Sequence, residues 1–268
     1  MLESIHSEDI SIRRLQEQPE SKPELPVDVD RDIDEDSKKL FIAVMEARKE
    51  GLLTDYCTYA AIIKRLWPDY ELNLPEEKKE SLENILDQVM RGQVSTEAAA
   101  YAAKIITVYP ELSVNLMQKT LDTWKKVALE WENRRNYYAL TKDYFFLKII
   151  NPSGDYSLTT DQINKLKAAM ESIRILPGRD PQFIRAAAHL KLLVPEHAID
   201  ISHEMWAEFK NEIKNSPAQF DKFELAAYLK ILAAHKVTIT SPGVIEFEMY
   251  PPSHTDDSMP SIPEEREF

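Results

Sequence analysis

One short phrase recurs five times along this chain and constrains it more than any other feature. A small or aromatic pair, a lysine and two or more aliphatics appear as AAIIKRL, YAAKII, FFLKII, AHLKLL and AYLKIL. The lysines are Lys64, Lys104, Lys148, Lys191 and Lys230, spaced 40, 44, 43 and 39 residues apart. A period near 40 is that of stacked helical pairs, in which each unit buries its apolar face only against its neighbours.

Positions away from the lysine repeat as well. Two residues after it stand Leu66, Ile106, Ile150, Leu193 and Leu232; one before it stand Ile63, Ala103, Leu147, Leu190 and Leu229. Four before it stand Ala60, Ala100, Tyr144, Ala187 and Ala226. Small residues let helices approach and aliphatics fill the gaps between them. Pro68, Pro152 and Pro195 each follow a lysine by four residues and end a helix. Two helices per unit of about 40 residues, proline at the junctions and Ala-rich inner helices resemble the HEAT and armadillo class of α-solenoids. The resemblance covers residues 37–235 and implies an all-α stack of about five antiparallel pairs that binds other macromolecules.

Composition excludes several alternatives. The 268 residues include only 5 Gly. Rossmann, P-loop and all-β folds need more of them, because glycine alone takes positive φ freely. The single cysteine, Cys57, excludes an internal disulfide and a cysteine-built zinc site. Its apolar surroundings, YCTYAAII, read as those of a small buried hydrophobe. No stretch reaches the roughly 20 apolar residues of a membrane span. MLESIHSEDISIRR is too acidic and broken for a secretory signal, so an intracellular, cytoplasmic location is expected.

The net charge of −13 sits mostly at the ends. Residues 1–35 hold 11 acids and 4 bases, whereas residues 119–191 hold 13 bases and 8 acids. Residues 1–35 read as a disordered acidic arm, 36–235 as the repeat domain, 236–250 as a hairpin or strap capping the last repeat, and 251–268 as a disordered, acidic, Pro-rich tail. Alternating aspartates at 28–36 resemble the start of a calcium loop. Ile33 replaces its obligatory glycine and Lys39 its final glutamate, which leaves an acidic run leading into the first helix.

Helix pairs are expected over Ser37–Glu50 and Asp55–Leu66, then from Pro75 and from Ser95. The third pair opens at Pro110, its first helix carrying Leu112, Leu116, Trp124 and Trp131. A fourth starts at Thr160 and resumes at Gln182, and the fifth covers Glu196–Lys214 and Ala218–His235.

No nucleotide-binding, metalloprotease, nucleophile-elbow or paired-cysteine motif is present. Neither catalytic residues, nor a metal site, nor a cofactor is expected. His189, His197 and His203 match no ligand spacing. The expected function is that of a non-enzymatic scaffold binding a partner protein. Lys104, Lys148 and Lys191 would lie along the helix row, unless such lysines merely cap helix C-termini. The alternative is binding of nucleic acid or another anion through the basic centre. There Lys125, Lys126, Arg134 and Arg135 accompany Trp124, Trp131, Tyr137 and Tyr138.

Overall fold

A computed structural model describes residues 33–248, apart from 92–94, 113–117, 175–179, 197–198, 200, 217, 235 and 241–243. Among these residues, ten α-helices precede a short hairpin. They are α1 (Glu35–Arg48), α2 (Leu53–Leu66), α3 (Glu76–Arg91), α4 (Thr96–Val108), α5 (Gln118–Asn133), α6 (Tyr137–Ile150), α7 (Thr160–Arg174), α8 (Asp180–Leu193), α9 (His203–Asn215) and α10 (Gln219–Ala233). Strands β1 (Lys236–Ile239) and β2 (Ile245–Glu248) pair antiparallel, Val237 facing Phe247.

The five expected helical pairs are all present, and the second helix of each is the more apolar. Those five helices pack in the order α2, α4, α6, α8, α10, and α10 then packs on α2. The stack is therefore closed into a ring rather than left open at both ends. Aromatic contacts hold the closing seam: Phe41 stacks on Phe223 with ring centres 4.1 Å apart, and Tyr59 meets Phe220 edge-on at 5.2 Å. Lys230 Nζ donates to the Leu66 carbonyl across it at 2.5 Å, and Lys222 pairs with Asp34 at 3.4 Å. Closure replaces the two exposed apolar ends of an open stack, which would otherwise need capping units.

Units are joined by linkers of equal length. The segments 67–75, 109–117, 151–159 and 194–202 each hold nine residues and carry proline second, at Pro68, Pro110, Pro152 and Pro195. Their sixth and eighth residues are apolar: Leu72 and Leu74, Val114 and Leu116, Tyr156 and Leu158, Ile199 and Ile201. Leu74, Tyr156 and Leu158 are buried and Leu72, Ile199 and Ile201 half-buried, so the linker is part of the core. Lys49 Nζ donates to the Asn73 carbonyl and Lys125 Nζ to the Asp155 carbonyl at 2.5 and 2.6 Å, tying linkers to the outer helices α1 and α5. At Gly154 any side chain would collide with the Tyr156 ring.

These linkers explain where helix limits differ from expectation. Pro110 opens a single 3-10 turn (Pro110–Leu112), and α5 begins only at Gln118. Leu116 lies outside the described residues. The first helix of the fifth pair begins at His203 and not at Glu196. Asp34 caps α1 as the acidic run suggests, accepting from Ser37 N at 2.7 Å. The hairpin buries Val237 and packs on α8. Apart from residues 33–35, the expected arm lies outside the described residues, as does the whole 251–268 tail.

Candidate functional site

Counted from the prolines, the units repeat every 42, 42 and 43 residues, and the lysines no longer align. Lys64, Lys148 and Lys191 stand four before their prolines; Lys104 stands six before Pro110. That two-residue offset separates their fates. Lys64 Nζ donates to the Pro68 carbonyl at 2.8 Å and Lys148 Nζ to the Pro152 carbonyl at 2.5 Å. Both close a helix C-terminus, where positive charge is favoured. Lys191 occupies the same register, half-buried, its ammonium disfavoured by burial.

Lys104 faces the inside of the ring. Its Nζ lies 5.5 Å from the Tyr101 ring centre, and burial lowers its pKa, with Arg65 and Glu224 among the charges that act on it. Arg65 is only 8% exposed. Its guanidinium reaches across the ring from α2 to sit 5.8 Å from the Phe145 ring centre on α6 and 6.0 Å from that of Tyr228 on α10. Phe145 stacks on His189 at 4.5 Å, and His189 Nε2 lies 3.3 Å from the Tyr228 hydroxyl. The ring is thus filled at its centre by Arg65, Phe145, His189 and Tyr228, with Lys104 and Glu224 beside them.

Charge at this centre is unbalanced. Glu224 is taken by Arg185, whose Nε and Nη2 lie 3.0 and 2.5 Å from one carboxylate oxygen. Among the described residues, neither Arg65 nor Lys104 has a carboxylate within salt-bridge distance, and Arg65 Nε is buried without a hydrogen-bond partner. His189 adds no charge: burial, with Arg65 and Lys142 nearby, pushes its pKa down to about 3. Burial pushes the Tyr228 hydroxyl up to about 12. A buried cation without an ionic partner is costly, and aromatic faces offset only part of that cost.

Next to the centre, an open cleft of about 390 Å³ lies between α6 and α8. Asn136, Tyr138, Lys142, Gln182, Arg185 and His189 line it, with Ala139 and Ala186 leaving space. Both helices begin at this cleft, so their positive dipole ends adjoin it.

The basic residues anticipated on α5 lie elsewhere, on an outer helix. Lys125 holds the linker and sits 5.8 Å from the Tyr156 ring centre; Lys126 is exposed. Arg134 lies over Trp131 at 5.3 Å and near Glu130 at 3.9 Å. Arg135 has φ 56° and stops α5, where Asn136 N donates to the Trp131 carbonyl at 2.8 Å. Trp124 is buried in the core, and Trp131 Nε1 donates to Asp143 Oδ2 at 2.8 Å. Sequence reasoning missed Arg65, Arg185 and the cleft. Arg65 directly follows the repeated Lys64, where the other units carry Ile105, Ile149, Leu192 and Ile231. That one departure from an aliphatic position was the available signal.

Cys57 is buried and its thiol is pushed up to about 12 by burial. Among the described residues no group of three or more His, Cys, Asp or Glu could hold a metal, and no helix is long and apolar enough to cross a membrane. His197 lies outside those residues. Comparison with known proteins gives no match to any protein family, curated protein or solved structure.

Proposed function

We propose that this protein is a non-catalytic binding module that takes up an anionic ligand at its helical ring. One observation carries the reading: among the described residues neither Arg65 nor Lys104 has a carboxylate within salt-bridge distance, and Arg65 Nε is buried without a hydrogen-bond partner. An incoming carboxylate or phosphate would supply the missing acceptor through charge-assisted hydrogen bonds. The reading is one of binding because the centre pairs a neutral histidine with a tyrosine, an arrangement without an activated nucleophile. A ring of packed helices favours a small ligand over a nucleic-acid duplex. Kinship with HEAT and armadillo repeats belongs to the proposal too, as does a reducing, intracellular setting in which Cys57 stays a thiol.

Capture of a partner protein is a second reading, favoured by the outer face of α1. Leu40 is exposed there beside Ala43, Val44 and Ala47, with Leu52 following. The lysine row does not favour it, since Lys64 and Lys148 are spent on helix ends.

The test is calorimetric titration and thermal melting of the full chain with phosphate, sulfate, citrate and succinate at low ionic strength. At least one anion is expected to bind and raise the melting temperature, and Arg65→Met and Lys104→Met are each expected to weaken that binding. Absence of binding by every anion, or full retention in both variants, would overturn the proposal.

A further inference from the structure

The α6–α8 cleft narrows the class of ligand. Resting on the anion-binding reading above, we infer that the ligand is a small phosphorylated polyol, with its phosphate between Lys142 and Arg185. Two cations line the cleft, Lys142 and the Arg185 already braced by Glu224 and Asp221, and no carboxylate lines it, so donors for several phosphate oxygens converge there. Arg185 is held in place by Glu224 through Nε and Nη2, with Asp221 3.9 Å from Nη2, so its remaining nitrogen is presented at a fixed angle. Lys142 is exposed and adjusts to the phosphate. The first turns of α6 and α8 add backbone N–H groups and dipole ends on the same side.

The rest of the lining suits hydroxyls. Asn136 accepts from Ala139 N with its side-chain oxygen at 3.1 Å, which turns its amide NH2 outward as a donor. The Tyr138 hydroxyl is buried without a hydrogen-bond partner. Such a group loses the hydration it had in the unfolded chain and gains from any ligand hydroxyl that reaches it. Ala139 and Ala186 keep the space open, and at about 390 Å³ the cleft falls in the range of small-molecule sites. The neutral His189 ring closes the floor, backed by Phe145.

The experiment is titration calorimetry of the full chain with inorganic phosphate, glycerol phosphate, glucose phosphate and unphosphorylated glucose. Glucose phosphate or glycerol phosphate is expected to bind more tightly than inorganic phosphate, and glucose not at all. Lys142→Ala should weaken the phosphorylated polyols by about tenfold, the loss of roughly 1.4 kcal/mol. Tyr138→Phe should reduce their advantage over inorganic phosphate while leaving phosphate binding unchanged. If Arg65→Met abolishes anion binding while Lys142→Ala leaves it intact, the cleft is not the seat and this inference fails, although the anion-binding reading survives. If no anion binds the wild-type chain, both fail together.

Discussion

The helix ends and the ring centre use the same kind of residue for opposite purposes. At the ends of α2 and α6, Lys64 and Lys148 each find a backbone carbonyl four residues on, and their charge is absorbed locally. At the centre, Arg65 and Lys104 rest against aromatic faces and repel each other, with Tyr228 beside Arg65 and the carboxylates of Glu224 and Asp55 acting on Lys104 from beyond salt-bridge distance. Cations spent on capping are structural by geometry. Cations carried into a closed interior without a salt-bridged acid cost stability, and their retention is what points to a ligand.

Four experiments test this contrast. The largest effect is expected from Phe145→Ala, which removes the ring on which both Arg65 and His189 rest. A fully buried phenylalanine of this kind contributes about 3–5 kcal/mol, read from urea unfolding. A smaller loss would mean that the centre collapses around the gap and is not a preformed seat.

Next comes a buried group of opposite sign. Asp143, 3% exposed, has one oxygen on Trp131 Nε1 and the other without a partner. Burial pushes its pKa up from 3.8 to about 6, despite the Trp131 hydrogen bond that favours the ionised form. Because the folded state holds the proton more tightly, this group's contribution is complete below about pH 4 and falls away as pH rises through about 6. The loss is on the order of 3 kcal/mol. Asp143→Asn should flatten that part of the pH–stability curve and stabilise the protein at neutral pH. An unchanged slope in the variant would show that Asp143 is not its source.

Arg65→Met comes third. Replacing a buried, ionically unpaired guanidinium by an apolar chain of similar length should change stability by no more than about 1 kcal/mol, and in the favourable direction if either. A loss well beyond that, measured without ligand, would make Arg65 a structural strut and remove the contrast with the helix ends. Lys148→Met is expected to have the smallest effect. Removing one C-terminal cap should lower stability by roughly 0.5–1 kcal/mol and leave anion binding untouched.

The helical pairs, their number, the hairpin and the Asp34 cap were all legible in the residues, because apolar periodicity and punctuation are local signals. Ring closure was not. It depends on Phe220 and Phe223 meeting Phe41, Tyr59 and Trp67 across more than 150 residues of chain, and no local pattern encodes such a meeting. The lysine alignment misled for a related reason. It treated Lys104 as equivalent to Lys64 and Lys148, whereas the nine-residue linkers set the true register and were read only as helix stops. The histidine, tyrosine and arginine that share the centre come from α8, α10 and α2, so their proximity is a product of closure alone.

Closure also fixes how many parts the molecule can have. An open row of helical pairs tolerates duplication or loss of one member, since the remainder still stacks. Here, removing any pair would leave the first and last inner helices unable to meet, and adding one would open a hole along the axis. The protein is thus committed to a five-membered plan, and new variants of it must arise by changing side chains within the circle rather than by lengthening the row.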